Sequence, residues 1–176
     1  MPRMLVSYDP SWPEQFARAA DELRALGDPA WVIEHIGSTA IPGMRAKPVI
    51  DLAVRMLNPA DFEQHRAALE EAGWVDGSGV RSHPVLVRAH AGERTHIAHF
   101  FTAAEWDAVN QRLLRDWLCE HPEDARRYAR AKCAAVAVAA RGEATYNAAK
   151  APAIQAIVDR ARVARGLPSV DASDKR

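Results

Sequence analysis

A single acid inside an apolar strand constrains this chain of 176 residues more than any other feature. In the run KPVIDLAVRM (47–56), alternate side chains point to opposite faces of a strand, so Asp51 shares a face with Ala53 and not with Leu52. A buried carboxylate is costly unless a metal ion or a cation balances its charge. We therefore expect a sheet in which Asp51 belongs either to a functional site or to a structural ion pair.

The segment before this strand has the features of a phosphate-binding turn without being a P-loop. Gly37 and Gly43 lie one residue too far apart for a P-loop, and Met44 stands where its lysine should follow. Gly37 and Ser38 instead end a strand, where glycine allows close backbone approach and a serine hydroxyl can hold phosphate. Asp51 on the next strand would then hold Mg²⁺ against the same phosphate, because this ion prefers oxygen ligands.

Hydrophobic periodicity predicts strands in the first part of the chain and helices in the last. A helix is expected at 11–26 and another from Asn58 to about Gly73, with strands between them at 31–37 and 47–56. The segments HPVLVRAH and RTHIAHFF flank Ala91 and Gly92, which predicts a β-hairpin. This part of the chain, about 1–101, should therefore contain the sheet.

Only helical signals follow Phe101. Thr102 and Glu105 form a capping box, Pro122 opens an alanine-rich helix, and Pro152 should kink or restart a last helical stretch at 143–165. This order indicates an α+β fold. We expect a single domain at 1–165, with its helical part at about 102–165, and a flexible tail at 166–176.

Composition removes several classes of function. Lysine plus arginine equals aspartate plus glutamate at 23 each, so no basic excess points to nucleic acid or to an anionic membrane. The start of the chain lacks the layout of a signal peptide, and no apolar run is long enough to span a bilayer. We therefore expect a cytoplasmic protein with a small-molecule partner, whose oligomeric state stays open.

Several segments together resemble the GrpB family, and they cover nearly the whole chain except the tail. They are YDPSWPEQF (8–16), EHIGSTAIPGMRAKPVIDL (34–52), RTHIAH (94–99) and the Tyr-x-x-x-Lys pairs Tyr128/Lys132 and Tyr146/Lys150. The resemblance implies a nucleotidyltransferase-like mixed β-sheet with flanking helices and a C-terminal helical segment. Some family members are fused behind dephospho-CoA kinase, which suggests a link to coenzyme A metabolism.

Two departures weaken the chemistry that this resemblance implies. The nucleotidyltransferase pattern places a second acid two residues after Asp51, where this chain has Ala53, and two-metal transfer needs carboxylates on both ions. Glu34 on the neighbouring strand is the remaining candidate for a second metal ligand. His96 and His99 have an odd separation and should lie on opposite faces, unless a β-bulge intervenes or the strand ends between them.

The candidate site residues follow from the motifs and the resemblance. Asp51 is the candidate catalytic residue and, with Glu34, the candidate ligand of Mg²⁺. The candidate contacts to a nucleotide or phosphorylated metabolite are Gly37, Ser38, Thr39, Lys47, Arg94, His96, His99, Tyr128, Lys132, Tyr146 and Lys150. Turn capping by Ser38 and Thr39, core histidines and tyrosines packed on lysine stems are the competing structural interpretations.

Three functions are compatible with these residues. The first is a Mg²⁺-dependent nucleotidyl or phosphoryl transferase, which would work by positioning and electrostatics without a covalent nucleophile. The second is a non-catalytic binding or accessory module that keeps the cavity without the metal pair, and Ala53 favours it. The third is a metal-dependent hydrolase with His96 and His99 as ligands, which the opposite faces of the strand disfavour.

Overall fold

The computed structural model describes residues 5–77, 80 and 82–172. Short 3₁₀ turns lie at Ser38–Ala40 and Trp106–Ala108. The helices and strands, in chain order, are α1 (Trp12–Leu26), β1 (Val32–Ile36), β2 (Ile50–Arg55), α2 (Asp61–Glu71), β3 (Val75–Asp76), β4 (Val85–His90), β5 (Glu93–Phe101), α3 (Asn110–Glu120), α4 (Pro122–Ala140) and α5 (Tyr146–Ala164).

The five strands form one mixed sheet in the order β1-β2-β5-β4-β3. Strands β2 and β5 run parallel, and every other neighbouring pair is antiparallel. Asp51 on β2 lies opposite Ile36 of β1 and Ile97 of β5, so these three side chains share one face near the centre of the sheet. The predicted α+β class, with a mixed sheet followed by helices, is confirmed.

One face of the sheet carries the main hydrophobic core beneath α1 and α2. Leu52 and Val54 of β2 and Phe100 of β5 have no exposed surface, and they pack with Trp31 and Leu23. Burial of this many large apolar side chains is the dominant favourable term in folding. This face is closed, so the polar residues that share the face of Asp51 lie on the opposite side of the sheet.

The second face lies beneath the C-terminal helices and is only partly filled. A small cluster, made of Ile36, Ala53, Phe101, Trp106 and Val109, closes one end of it. Ala53 therefore fills a packed position, where a carboxylate would meet apolar neighbours instead of a metal ion. The other end of the face, beyond Asp51, remains open beneath α4 and α5.

A β-bulge in β5 decides which side chains reach this second face. Arg88 of β4 pairs with His96, whereas the next residue, Ala89, pairs with Arg94, so Thr95 is the extra residue. An inserted residue shifts the alternation of the strand. Arg94 therefore lies on the same side as Ile97 and His99 despite the odd sequence separation.

The helical part differs from the prediction in two places. Only half of the Thr102–Glu105 capping box forms. The Thr102 amide donates to Glu105 Oε2 at 2.9 Å, but the Thr102 hydroxyl donates to the same carboxylate and the Glu105 amide donates to the Thr102 carbonyl, so the motif opens a turn and α3 begins only at Asn110. Helix α5 runs through Pro152 as one element and does not restart there. Local signals located these helices but misplaced one start, because capping boxes also stabilise isolated turns.

The described part of the predicted tail contacts α5. Gln155 donates a hydrogen bond to the Val170 carbonyl at 2.9 Å and accepts one from the Ala172 amide at 2.8 Å. The predicted tail continues through residues 173–176, which lie outside the described residues. None of the helices within the described ranges is both long and apolar enough to cross a membrane.

Candidate functional site

The turn between β1 and β2 holds its glycine directly against Asp51. Gly37 has φ +74° and ψ −175°, a backbone conformation that is essentially restricted to glycine. A Cβ atom at Gly37 would lie 2.3 Å from Asp51 Oδ2. The Gly-Ser pair and the acid are therefore one structural unit, because only glycine leaves room for the carboxylate at this distance.

Buried side chains fix this turn in place. The Thr39 hydroxyl donates to the Val49 carbonyl at 3.1 Å and lies 2.9 Å from His35 Nε2. Burial, aided by the cation of Arg115, lowers the pKa of His35 to about 4, and its ring stacks on Phe16. Thr39 is buried with its hydroxyl engaged, so its position fits a role in holding the turn better than direct ligand contact.

Two lysine ammonium groups lie over one tyrosine ring. Lys47 Nζ is 3.9 Å and Lys150 Nζ 4.8 Å from the ring centroid of Tyr146. Cation–π attraction holds both charges at the same ring, and these two cations come from different parts of the chain. An anion in this part of the cavity would meet both positive charges.

Lys132 is the most buried of the cations here. Its side chain is among the largest fully buried ones, with 2% of its surface exposed, and its ammonium donates a hydrogen bond to the Arg45 carbonyl. Burial, and then the charge of Lys150, lower the pKa of Lys132 to about 7. One helical turn earlier, the buried Tyr128 shares a side-chain hydrogen bond with Ser38, and burial raises its pKa.

The histidines of β5 are separated by the sheet. His99 lies on the open face, where its Nδ1 is 2.8 Å from His83 Nε2. His96 lies on the opposite face, beside Trp74, where burial and then Arg88 lower its pKa. The two histidines therefore do not share a site, as their odd separation predicts, because the bulge at Thr95 precedes both of them.

Glu34 lies on the face of Asp51 but belongs to an ion-pair network. Its two carboxylate oxygens accept hydrogen bonds from Arg112 Nη2 at 2.9 Å and Arg115 Nη2 at 2.6 Å. Burial would raise the pKa of Glu34, but these arginines outweigh it and lower the pKa. The structure thus gives Glu34 a structural ion pair where a metal ligand was predicted.

The open face forms one cavity of about 1190 Å³, larger than a typical drug-sized pocket. Glu34 and His96 are the two predicted site residues that do not line it. Sequence reasoning missed the contribution of α3, including Leu114 and Arg115, because only the tertiary fold brings that helix over the sheet. The predicted residues that line the cavity are Gly37, Ser38, Thr39, Lys47, Asp51, Arg94, His99, Tyr128, Lys132, Tyr146 and Lys150.

Lysine is rare in this chain, and its placement is uneven. The sequence has four lysines, and three of them (Lys47, Lys132 and Lys150) line this cavity. The fourth, Lys175, lies outside the described residues. The surface charges of the described helices come instead from arginines such as Arg18 and Arg126, which pair with nearby acids.

The two predicted metal ligands, Asp51 and Glu34, do not belong to a metal-binding cluster of side chains among the described residues. Within residues 5–77, 80 and 82–172, no cluster of three or more His, Cys, Asp or Glu side chains is arranged to hold a metal. Asp51 supplies one carboxylate beside the Ser38 turn, and Mg²⁺ in phosphate sites is commonly held by one or two carboxylates, waters and ligand phosphates. Of the two predicted metal ligands, Asp51 lines the cavity and Glu34 does not.

The fold defines a small α+β protein with a cavity between a mixed sheet and a helical layer, lined by basic and acidic side chains. The chain belongs to the GrpB family, because the sequence model of that family, described as GrpB protein, matches residues 2–160 of this chain. It is 36% identical to a UPF0157 protein of Pseudomonas aeruginosa, over 92% of this chain and 69% of the relative.

A solved GrpB structure and a kinase segment are also similar to this chain. The crystal structure of the conserved protein GrpB from Enterococcus faecalis superposes with a TM-score of 0.78 at 26% identity, over 90% of this chain and 96% of that one. A stretch of 57 residues is 47% identical to part of the dephospho-CoA kinase of Mycobacterium bovis, covering 30% of this chain and 14% of that protein. The family predicted from the sequence motifs is confirmed.

Proposed function

We propose that this protein binds a nucleotide or another phosphorylated small molecule in the cavity between the sheet and helices α3–α5. The observation that carries the proposal is the convergence of three of the four lysines on this one cavity. Desolvated cations attract a phosphate group more strongly than exposed ones, because the local dielectric is low. The overall charge of the chain is balanced, so the concentration of cations in the cavity is a local feature.

The two sides of the cavity would have different roles toward the ligand. Lys47 and Lys150 would neutralise phosphate oxygens, and backbone amides of the Gly37–Ser38 turn would hold another oxygen. Asp51 would hold a Mg²⁺ ion, which when bound supplies charge neutralisation to the phosphate group. Arg94 lies on the cavity face of the sheet, opposite His96, and would contribute a further positive charge.

Binding is better supported than two-metal transfer. Ala53 occupies the second-acid position inside a small apolar cluster, and Glu34 is held by two arginines. Without a free carboxylate at either of these two positions, a second metal ion would lack the ligand that the nucleotidyltransferase pattern supplies. We therefore propose a binding or accessory module first and a single-metal transferase second.

Two other candidates differ in their support. A hydrolase that uses His96 and His99 together is disfavoured, because these side chains lie on opposite faces of the sheet. A link to coenzyme A metabolism is favoured by the segment that is similar to a dephospho-CoA kinase, although that segment covers 30% of this chain. This link concerns the biological context of the ligand and leaves the cavity assignment unchanged.

Thermal unfolding with phosphorylated ligands tests the proposal. Pyrophosphate and ATP, with and without Mg²⁺, should raise the melting temperature, because a ligand at a hundred times its Kd stabilises by about 2.7 kcal/mol. Lys150→Met should remove most of the shift, and Asp51→Asn should remove its dependence on Mg²⁺. His96→Gln, on the opposite face of the sheet, is the control. It should keep both the shift in melting temperature and the dependence of that shift on Mg²⁺. The absence of a shift with every phosphorylated ligand would refute the proposal.

A further inference from the structure

The cavity changes character along helix α5. Tyr146, Lys150, Ile154 and Val158 all line it and are spaced by four residues, so they form one stripe on the helix. From Lys150 to Val158 the helix advances by about 12 Å. The stripe is cationic at its start and aliphatic at its end, which gives a bound ligand two chemically different surroundings.

Aliphatic side chains from other elements face the second half of this stripe. Leu114 of α3 and Ile41 of the β1–β2 connection line the cavity and pack in one cluster with Ile154. A hydrocarbon surface at this end would gain from leaving water, because the favourable term grows with the apolar area buried.

The amide side chains at this end are already engaged within the protein. Asn110 Oδ1 accepts a hydrogen bond from Arg162 Nη1 at 2.8 Å. Gln155 uses both ends of its amide, donating to Asp159 Oδ1 at 3.0 Å and accepting from the Ala172 amide. A sugar ring here would lose hydrogen bonds to water and could recover few of them from these two groups.

The lining offers few aromatic rings for stacking a base. The described residues that line the cavity include no tryptophan or phenylalanine, and its aromatic rings are those of Tyr128, Tyr146 and His99, the last of which is hydrogen-bonded to His83. The Tyr146 ring is covered by the ammonium groups of Lys47 and Lys150, and Tyr128 is buried. Bases gain much of their affinity from stacking on aromatic rings, so this surface favours a flexible aliphatic group over a nucleobase.

We propose that the ligand is a phosphate monoester of an aliphatic alcohol, with its phosphate group at Lys47 and Lys150 and its hydrocarbon chain along Ile154 and Val158. This inference rests on the proposed function for the phosphate half and narrows its ligand class. The phosphate fixes one end through charge, and the aliphatic end of the stripe selects the body of the ligand.

A series of alkyl phosphates tests the inference on the chain of 176 residues. Methyl, butyl, hexyl and octyl phosphate are titrated calorimetrically below their micellar concentrations, with AMP and hexanol as comparisons. The Kd should fall roughly fourfold for each added methylene that is buried, until the aliphatic end is filled. AMP should bind more weakly than hexyl phosphate, and hexanol should bind least.

Matched variants on α5 separate the two halves of the cavity. Ile154→Ser should flatten the dependence on chain length and leave methyl phosphate binding unchanged. Val163→Ser replaces an aliphatic residue of the same helix that is 71% exposed, and it should change neither property. The titration series on the unmodified chain decides the question even if Ile154→Ser does not fold.

The outcomes distinguish this inference from the proposed function. Binding of methyl phosphate and pyrophosphate with no gain from longer chains would overturn the aliphatic ligand and leave phosphate binding intact. Tighter binding of AMP than of hexyl phosphate would also overturn the aliphatic ligand, and it would indicate that the ligand is a nucleotide. Failure of every phosphate compound, or equal binding of hexanol and hexyl phosphate, would overturn both.

Discussion

At the scale of single residues, Gly37 connects the turn motif to the acid. Gly37→Ala should lower the free energy of unfolding by roughly 1–3 kcal/mol, because the φ/ψ of Gly37 is essentially restricted to glycine. The added Cβ would also displace the Asp51 carboxylate, so phosphate affinity should fall. Gly43→Ala is the matched control, with a similar φ of +75° and no atom near the added Cβ. Urea unfolding measures both, and equal losses would contradict the close-contact role of Gly37.

Lys132 should make stability depend on pH above neutrality. Because its folded pKa of about 7 lies below the unfolded value of 10.5, the unfolded chain binds more protons between these values. The free energy of unfolding should therefore rise with pH over this window, by up to about 1.4 kcal/mol per pH unit. Below pH 7 the folded protein bears the full cost of burying a protonated Lys132.

Replacing Lys132 isolates this contribution. Chemical unfolding from pH 7 to pH 10 measures the free energy of unfolding of the unmodified chain and of Lys132→Met. The difference between the two should rise with pH, because only the unmodified chain contains Lys132. Lys150→Met should narrow the window, because removal of a neighbouring positive charge raises the pKa of Lys132. A slope that survives in Lys132→Met would assign the pH dependence to another group.

At the scale of elements, Glu34 ties β1 to α3. Glu34→Gln would leave the partly buried Arg112 without its carboxylate partner and Arg115 with only Asp116, so it should lower the free energy of unfolding by about 1–3 kcal/mol. Glu14→Gln breaks the exposed pair with Arg18 and should cost roughly 0.5 kcal/mol or less. Guanidinium unfolding compares the two variants, and similar costs would show that the Glu34 network contributes little.

Elements with strong local signals could be predicted from the sequence. Strand β2 shows period-2 alternation, and the hairpin turn at Ala91 and Gly92 has positive φ at both positions, as a tight β-hairpin turn requires. The two-residue strand β3 and the bulge at Thr95 were not predicted, because both depend on pairing with β4. The start of α3 was misplaced because a capping box is a local signal.

At the scale of the whole molecule, the sequence predicted side chains that line the cavity but did not predict how the helices pack around them. Eleven of the thirteen predicted site residues line the cavity, because they lie in conspicuous patterns such as Gly-Ser and Tyr-x-x-x-Lys, but they make up fewer than half of its lining residues. The engagement of Glu34 by α3 and the aliphatic end formed by Leu114 and Ile154 depend on helix packing over the sheet. No local pattern carries that information.

The central claim is that the lysines of the cavity bind a phosphate group, and lysine-selective NMR tests it most directly. In a chain labelled with ¹³C at its four lysines, pyrophosphate should shift the signals of Lys47 and Lys150 along one saturable curve. A parallel titration with sodium chloride at matched ionic strength is the reference and should give only a linear drift of the lysine signals. Unmoved cavity signals, or four signals that drift together without saturation, would contradict the claim.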